Sequence, residues 1–112
     1  MDVIVSLKEN RDFRRLYTRG KSFVSPSLVT YVMKNRRSGG IRVGITTSKK
    51  IGNAVTRSRA RRVTREAFRA AYPHVRPGYD FVFVARGKTA FLKSTQVHRV
   101  MMAQLKEAGV LQ

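Results

Sequence analysis

Six carboxylates and two histidines are all that this 112-residue chain offers to metal-dependent or general acid–base chemistry. A hydrolase that works alone needs paired metal-binding carboxylates, or a histidine set against a second titratable group. Asp2, Glu9, Asp12, Glu66, Asp80 and Glu107 show no metal-ligand spacing, although Glu9 and Asp12 lie near each other. His74 sits in a proline-flanked turn and His98 beside Arg99 on a predicted helix, so both read as surface or structural residues. Neither Ser48 nor Ser58 has a histidine nearby to activate it. The absence of cysteine excludes a disulfide framework and any cysteine-based zinc ribbon. The chain therefore reads as a binder, and its binding chemistry is that of arginine.

Arg57, Arg59, Arg61, Arg62, Arg65 and Arg69 fall within thirteen positions, with Lys49 and Lys50 just before them. The guanidinium fork matches phosphate oxygens in pairs, and a row at i, i+4, i+8 tracks a polyanion rather than one small ion. A mixed-charge helix is usually just a solvated face. Here only Glu66 offsets the cations, so like charges repel along the helix unless a polyanion relieves them. Nucleic acid is the expected partner.

The whole chain carries 24 Lys and Arg against 6 Asp and Glu, a net charge of +18. Such an excess opposes compaction, and salt or a bound polyanion should stabilise the fold. The length suits one small domain with a modest core. Met1 to Leu7 is too short and too acidic for a signal peptide, and no apolar run approaches membrane-spanning length. The basic helix also lacks the Trp, Phe and Leu belt of an interfacial anchor. A soluble cytoplasmic protein without a membrane partner is expected.

The elements that must position the arginines can be read in turn. Asn53 is a good N-cap for a helix from about Ala54 to Tyr72, with Gly52 allowing a bend before it and Pro73 stopping it. At about 100° per residue, Thr56, Ala60, Val63, Ala67, Ala70 and Ala71 share one arc, the side predicted to be buried, with the arginines roughly opposite. Earlier, Asn10 opens a short helix with Phe13, Leu16 and Tyr17 at i, i+3, i+4, and Gly20 placed to end it. Its other face carries Arg11, Arg14, Arg15 and Arg19. Taken alone, Phe13 and Tyr17 are ordinary core residues of an amphipathic helix.

Leu28 to Met33 is β-branched and aromatic and reads as a strand, with Val29, Tyr31 and Met33 on one face. The turn Asn35 to Gly40 predicts a hairpin with the next strand, Ile41 to Thr47, and an arginine-rich tip. Tyr79 to Ala85 is a near-continuous apolar run, as in a strand buried on both faces. Gly87 to Lys93 reads as a loop, with Phe91 and Leu92 packed back on the core. Ser94 or Thr95 would cap a last helix with Val97, Val100, Met101, Leu105 and Ala108 inside and Gly109 at its end. With Ser22 to Val24 as a further strand, the order is α-β-β-β-α-β-α in one small α+β domain, an α/β sandwich around one mixed four-stranded sheet.

Lys49 to Arg69, preceded by Gly44-Ile45-Thr46-Thr47-Ser48, resembles the signature of the protein subunit of bacterial ribonuclease P. That pattern is a strand ending in Ser-Lys-Lys, then Gly-Asn-Ala-Val, then Arg-Asn-Arg and further basic residues on a long helix. The likeness covers most of the chain. It departs at Ser58, which stands where the family triplet has Asn and offers a shorter, poorer hydrogen-bonding group.

The resemblance implies that the βαβ crossover is left-handed, against the usual rule. It implies that catalysis resides in an RNA subunit, with magnesium (Mg2+) held mainly by that RNA, and that the protein assists removal of the 5′ leader from precursor tRNA. Lys49, Lys50, Asn53, Arg57, Ser58, Arg59, Arg61, Arg62, Arg65 and Arg69 would then bind the RNA subunit and phosphates near the cleavage site. Phe13, Tyr17, Val29 and Tyr31 would line a cleft for the single-stranded leader. One protein per RNA is expected. The rival reading is a ribosomal-protein-like RNA binder or RNA chaperone with no associated reaction; a DNA architectural protein and a standalone nuclease fit the residues less well.

Overall fold

The computed structural model describes residues 5–35 and 39–112. The predicted arginine-rich tip includes Arg36 and Arg37, which lie outside the described residues, as does Asp2.

Five strands form one mixed sheet: β1 (Val5–Ser6), β2 (Lys21–Val24), β3 (Leu28–Lys34), β4 (Ile41–Thr47) and β5 (Tyr79–Ala85). Their order across the sheet is β1-β4-β5-β3-β2. The four-stranded expectation missed β1, whose two residues are too few to show a period. The predicted hairpin is also not formed. β5 lies between β3 and β4, antiparallel to the first and parallel to the second. The reason lies in composition: Phe81, Val82 and Phe83 are all buried, and only a central strand covers both faces. β3 alternates buried Leu28, Thr30 and Val32 with half-buried Val29, Tyr31 and Met33, as its pattern predicts.

Three helices complete the domain: α1 (Asn10–Arg19), α2 (Ala54–Ala71) and α3 (Ser94–Ala108). Asn53 caps α2, its side-chain oxygen accepting from the Thr56 N–H at 2.8 Å. The buried stripe of α2 is Ala60, Val63, Thr64, Ala67, Phe68 and Ala71. This differs from the predicted arc, in which Thr56 and Ala70 stood instead of Thr64 and Phe68; Thr56 is half-buried and Ala70 exposed. Phe68 decides the rotation, because its ring meets Phe83 and Phe81 with centroids 5.3 and 6.1 Å apart. Removing such a ring costs about 3–5 kcal/mol. Since the buried arc turns toward Arg57 and Arg61, those two become half-buried rather than facing straight out.

α2 and α3 cover one face of the sheet, over a core that includes Leu28, Val32, Phe81 and Phe83. Gln104 of α3 is buried, its amide donating to the Phe23 and Leu28 carbonyls at 3.0 and 2.9 Å. On the sheet's other face, α1 packs through Leu16 and Phe13 against Tyr31, Val82 and Val84. Gly109 ends α3 at φ 75°, as predicted. The loop after β5 is a 3₁₀ turn, Gly87–Phe91; Leu92 packs on the core, but Phe91 does not and is 83 % exposed.

Candidate nucleic-acid interface

β4 is the hinge of the site. β1 pairs only with Arg42 and Val43, and the chain then leaves through Leu7, whose N–H donates to the Val43 carbonyl at 2.8 Å. From Gly44 onward, β4 has no strand on its outer side among the described residues. α1 flanks that edge on one face of the sheet and α2 on the other.

The edge opens into two neighbouring hollows. One, of about 400 Å3, is lined by Leu7, Phe13, Gly44, Phe68, Arg65 and Arg69 among others. The second, of about 450 Å3, is lined by Asn10, Phe13, Arg14, Tyr17, Ile45 and Thr46. Phe13 borders both. Its ring sits on Gly44, where a Cβ would come within 2.6 Å of its Cε1 and Cζ. A glycine inside a strand signals close approach, and here the approach seats an aromatic ring at the mouth of a groove.

Phe13, Tyr17 and Tyr31 form a chain of rings. Tyr17 meets Tyr31 edge-on at 5.0 Å and tilts toward Phe13 at 6.5 Å. Tyr17 is 43 % exposed, while Phe13 and Tyr31 are half-buried. Burial, with a smaller contribution from Tyr31, pushes the Tyr17 phenol above its ordinary pKa. Tyr31 thus lies on the α1 face, contributing to the packing below and to the aromatic wall above. Val29 is half-buried and shares that face by alternation. The ring set has the character of a stacking surface, since aromatic faces accept any base.

The arginines divide by flank. Arg65 and Arg69 line the first hollow beside Phe13, and Arg61 precedes them in the same i, i+4, i+8 row. Arg62, Arg65 and Arg69 are exposed, with no hydrogen bond or ion pair to the described residues. Arg57 folds back over the helix entrance, its Nη1 near the Ile51 and Gly52 carbonyls at 3.4 and 3.3 Å. Arg59 points to the other flank, its Nε donating to the Ala90 carbonyl at 2.6 Å. Ser58 Oγ accepts from Arg61 at 3.3 Å. Asn53 spends its oxygen on the cap, and Lys49 and Lys50 are exposed in the turn before it.

Three of the described carboxylates are held by arginines outside α2. Asp80 is buried and takes a paired contact from Arg42, with Nε and Nη2 at 2.9 and 2.6 Å, plus the Asn35 amide at 2.9 Å. Asp12 leans toward the same Arg42 at 3.9 Å, and Glu9 pairs with Arg11 at 2.6 Å. Asp80 holds the Arg42 guanidinium above its ordinary pKa mainly through that hydrogen bond. Among the described residues, no three His, Cys, Asp or Glu side chains gather as a metal-binding group. His98 Nε2 is buried without a hydrogen-bond partner among the described residues. No described helix is long and apolar enough to cross a membrane.

Gly44, Ile45 and Thr46, which the sequence marks only as part of the family signature, and Arg14, marked only as polar face of α1, also line the hollows. Gly44 alone carried a further signal, as a glycine inside a strand.

Comparison with known proteins points one way. Residues 1–109 match the family model described as Ribonuclease P. The chain is 43% identical to the ribonuclease P protein component of Clostridium beijerinckii, over 96% of this chain and 91% of the relative. It is 51% identical to the component of Clostridioides difficile over 71% of this chain and 70% of that one. The solved ribonuclease P protein of Staphylococcus aureus superposes with a TM-score of 0.83 at 32% identity, covering 98% of this chain and 100% of the other. That of Thermotoga maritima gives 0.78 at 28%, over 91% and 96%.

Proposed function

This chain belongs to the ribonuclease P protein family, and on that footing we propose that it binds the 5′ leader of precursor tRNA while docked on the catalytic RNA. Its role as the RNA-binding subunit follows from the family. A chaperone or ribosomal-protein-like binder with no associated reaction is accordingly disfavoured.

One observation carries the finer reading: Phe13 belongs at once to the aromatic hollow with Tyr17 and to the hollow walled by Arg65 and Arg69. A single strand laid along the open β4 edge would meet stacking surfaces on the α1 side and phosphate partners on the α2 side. Stacking gives about 1–3 kcal/mol per base and tolerates many sequences. Binding held only by precursor discriminates against mature product, by about five-fold per kcal/mol. Because this preference lies in the leader, it would let one enzyme accept precursors with different tRNA bodies.

Hydrolysis itself is assigned to the RNA, with its magnesium. Among the described residues, Asp80 and Asp12 face Arg42 and Glu9 faces Arg11, which supports leaving the metal to the RNA. The arginine row would neutralise phosphates of the RNA subunit and of substrate near the scissile bond, with strong salt dependence. One protein per RNA, working in the cytoplasm, completes the reading.

Leader length tests it. Holoenzyme affinity should rise as nucleotides are added upstream of the cleavage site and level off once the groove is filled. Affinity that is flat with leader length would remove the leader from this groove.

A further inference from the structure

Phe91 has the most exposed large apolar side chain among the described residues, at 83 %, on a backbone that is firmly held. Thr89 Oγ1 donates to the Ser27 carbonyl, and the Arg86 N–H donates to the same carbonyl at 3.0 Å. The Thr89 N–H donates to Arg86 at 2.9 Å, and Arg59 Nε to the Ala90 carbonyl at 2.6 Å. Ala90 is buried with Ile51, Ala60 and Ala85. Anchored on both sides, the turn presents its ring outward; the ring is not stranded on a loose loop. An exposed aromatic on a rigid element is a preorganised contact.

The surroundings are cationic. Arg86, Lys88 and Lys93 are all exposed within five positions of Phe91, and no Asp or Glu occurs between Asp80 and Glu107. Lys88 and Phe91 line a shallow depression of about 490 Å3 together with Pro26, Ser27, Leu92 and Val100. Phe91 borders neither hollow that Phe13 lines. It stands on the Arg59 flank of α2, away from Arg65 and Arg69.

Resting on the reading of this chain as an RNA-binding subunit, we infer that Phe91 is a second stacking platform, taking an unpaired base of the catalytic RNA. Lys88 and Lys93 meet the phosphates beside that base. RNA would then grip α2 on both flanks, leader and arginine row on one, Phe91 on the other. An aromatic face with a lysine beside it is complementary to a base with its flanking phosphate. A second copy of the chain is a poorer occupant. Two chains of +18 repel, and one ring beside half-buried Leu92 and Val100 falls well short of the roughly 1,000 Å2 of a specific interface.

The experiment measures affinity for ribonuclease P RNA, without substrate, over a range of monovalent salt. It compares the wild type with F91A, F91L, F91W and K88A, with melting temperature and sedimentation velocity alongside. F91A should keep the wild-type melting temperature, bind about 5-fold or more weakly, and show an unchanged salt slope. F91W should restore binding and F91L should not. K88A should reduce the slope by about 0.7–0.9. Wild-type affinity in F91A, or equal rescue by Leu and Trp, would overturn the inference. So would a wild-type dimer that F91A dissolves, since the face would then belong to a second copy. With holoenzyme binding of precursor and mature tRNA measured in parallel, an F91A protein of unchanged RNA affinity but lowered preference for precursor would reassign Phe91 to substrate and overturn it too. Failure of the wild type itself to bind would instead bring down the subunit reading and this inference together.

Discussion

Substituting Gly44 by Ala places a methyl group where the edge of the Phe13 ring now rests. The added Cβ would stand 2.6 Å from Phe13 Cε1 and Cζ and 3.4 Å from Leu7 Cβ. Carbon atoms settle at about 3.5–4.0 Å, so the ring must retreat by about 1 Å. Leu7 is already in contact, which leaves the groove as the free direction. The ring then intrudes on the space shared with Arg65 and Arg69. Because the clashing atoms are the far end of a half-buried side chain, the stability cost should sit near the low end of overpacking, about 1 kcal/mol. That lowers the melting temperature of a domain this size by roughly 4–8 °C. Loss of one stacked base is worth about 1–3 kcal/mol, or roughly 5- to 150-fold in affinity. The assay is holoenzyme binding to precursor and to mature tRNA. Gly44→Ala should weaken precursor by that factor and leave mature tRNA and RNA-subunit binding unchanged. Combined with Phe13→Ala, it should add little, because both changes remove the same surface. An unchanged precursor-to-mature ratio in a folded G44A protein would refute the seat assigned to Phe13.

The arginines should separate by role. Arg62→Ala and Arg65→Ala should each lower the salt slope of RNA binding by about 0.7–0.9 with little change in melting, whereas Arg59→Ala should lower melting by freeing the Ala90 carbonyl; identical behaviour of the three would erase the division by flank. Tyr17 gives a pH dependence. With its folded pKa raised above 10.0, the native state keeps the phenol proton that the unfolded chain loses, so this stabilisation is complete below pH 10 and lost as pH rises through the folded value. Ultraviolet titration should show a late-ionising phenol that Tyr17→Phe removes; a titration curve unchanged at its alkaline end by that substitution would mean the ring is more exposed than the packing against Tyr31 indicates. Ser58→Asn should leave cleavage the same or higher, since Ser58 is exposed and only accepts from Arg61 at 3.3 Å; a large loss in single-turnover cleavage would mean that the helix sits differently on RNA.

The basic helix was readable from sequence because its cues are local. Asn53, the one-sided arginines and Pro73 mark its ends and its wet face without reference to the rest of the chain. Its rotation was not, since a stripe of alanines says little about which edge turns inward, and Phe68 decides that only through contact with Phe81 and Phe83 from another element. The same limit explains the hairpin that does not form. Two strands joined by a glycine turn look like neighbours, and only the doubly buried β5, nearly forty residues later in the chain, shows what separates them. Aromatic spacing on α1 was legible as amphipathic, yet its place in a groove depends on an edge left open by a two-residue strand. Phe91 was expected inside because it is apolar; the hydrogen bonds that fix its turn run from its neighbours Thr89 and Ala90 to Ser27 and Arg59, far away in sequence.

Cleavage of a precursor tRNA at limiting magnesium, by ribonuclease P RNA with and without this protein and by the protein alone, tests the central claim most directly. The protein alone should be inert, and its addition should lower the magnesium and the substrate concentration that the RNA requires. Protein that binds the RNA yet changes neither would contradict the account, and cleavage by the protein without RNA would contradict it more deeply.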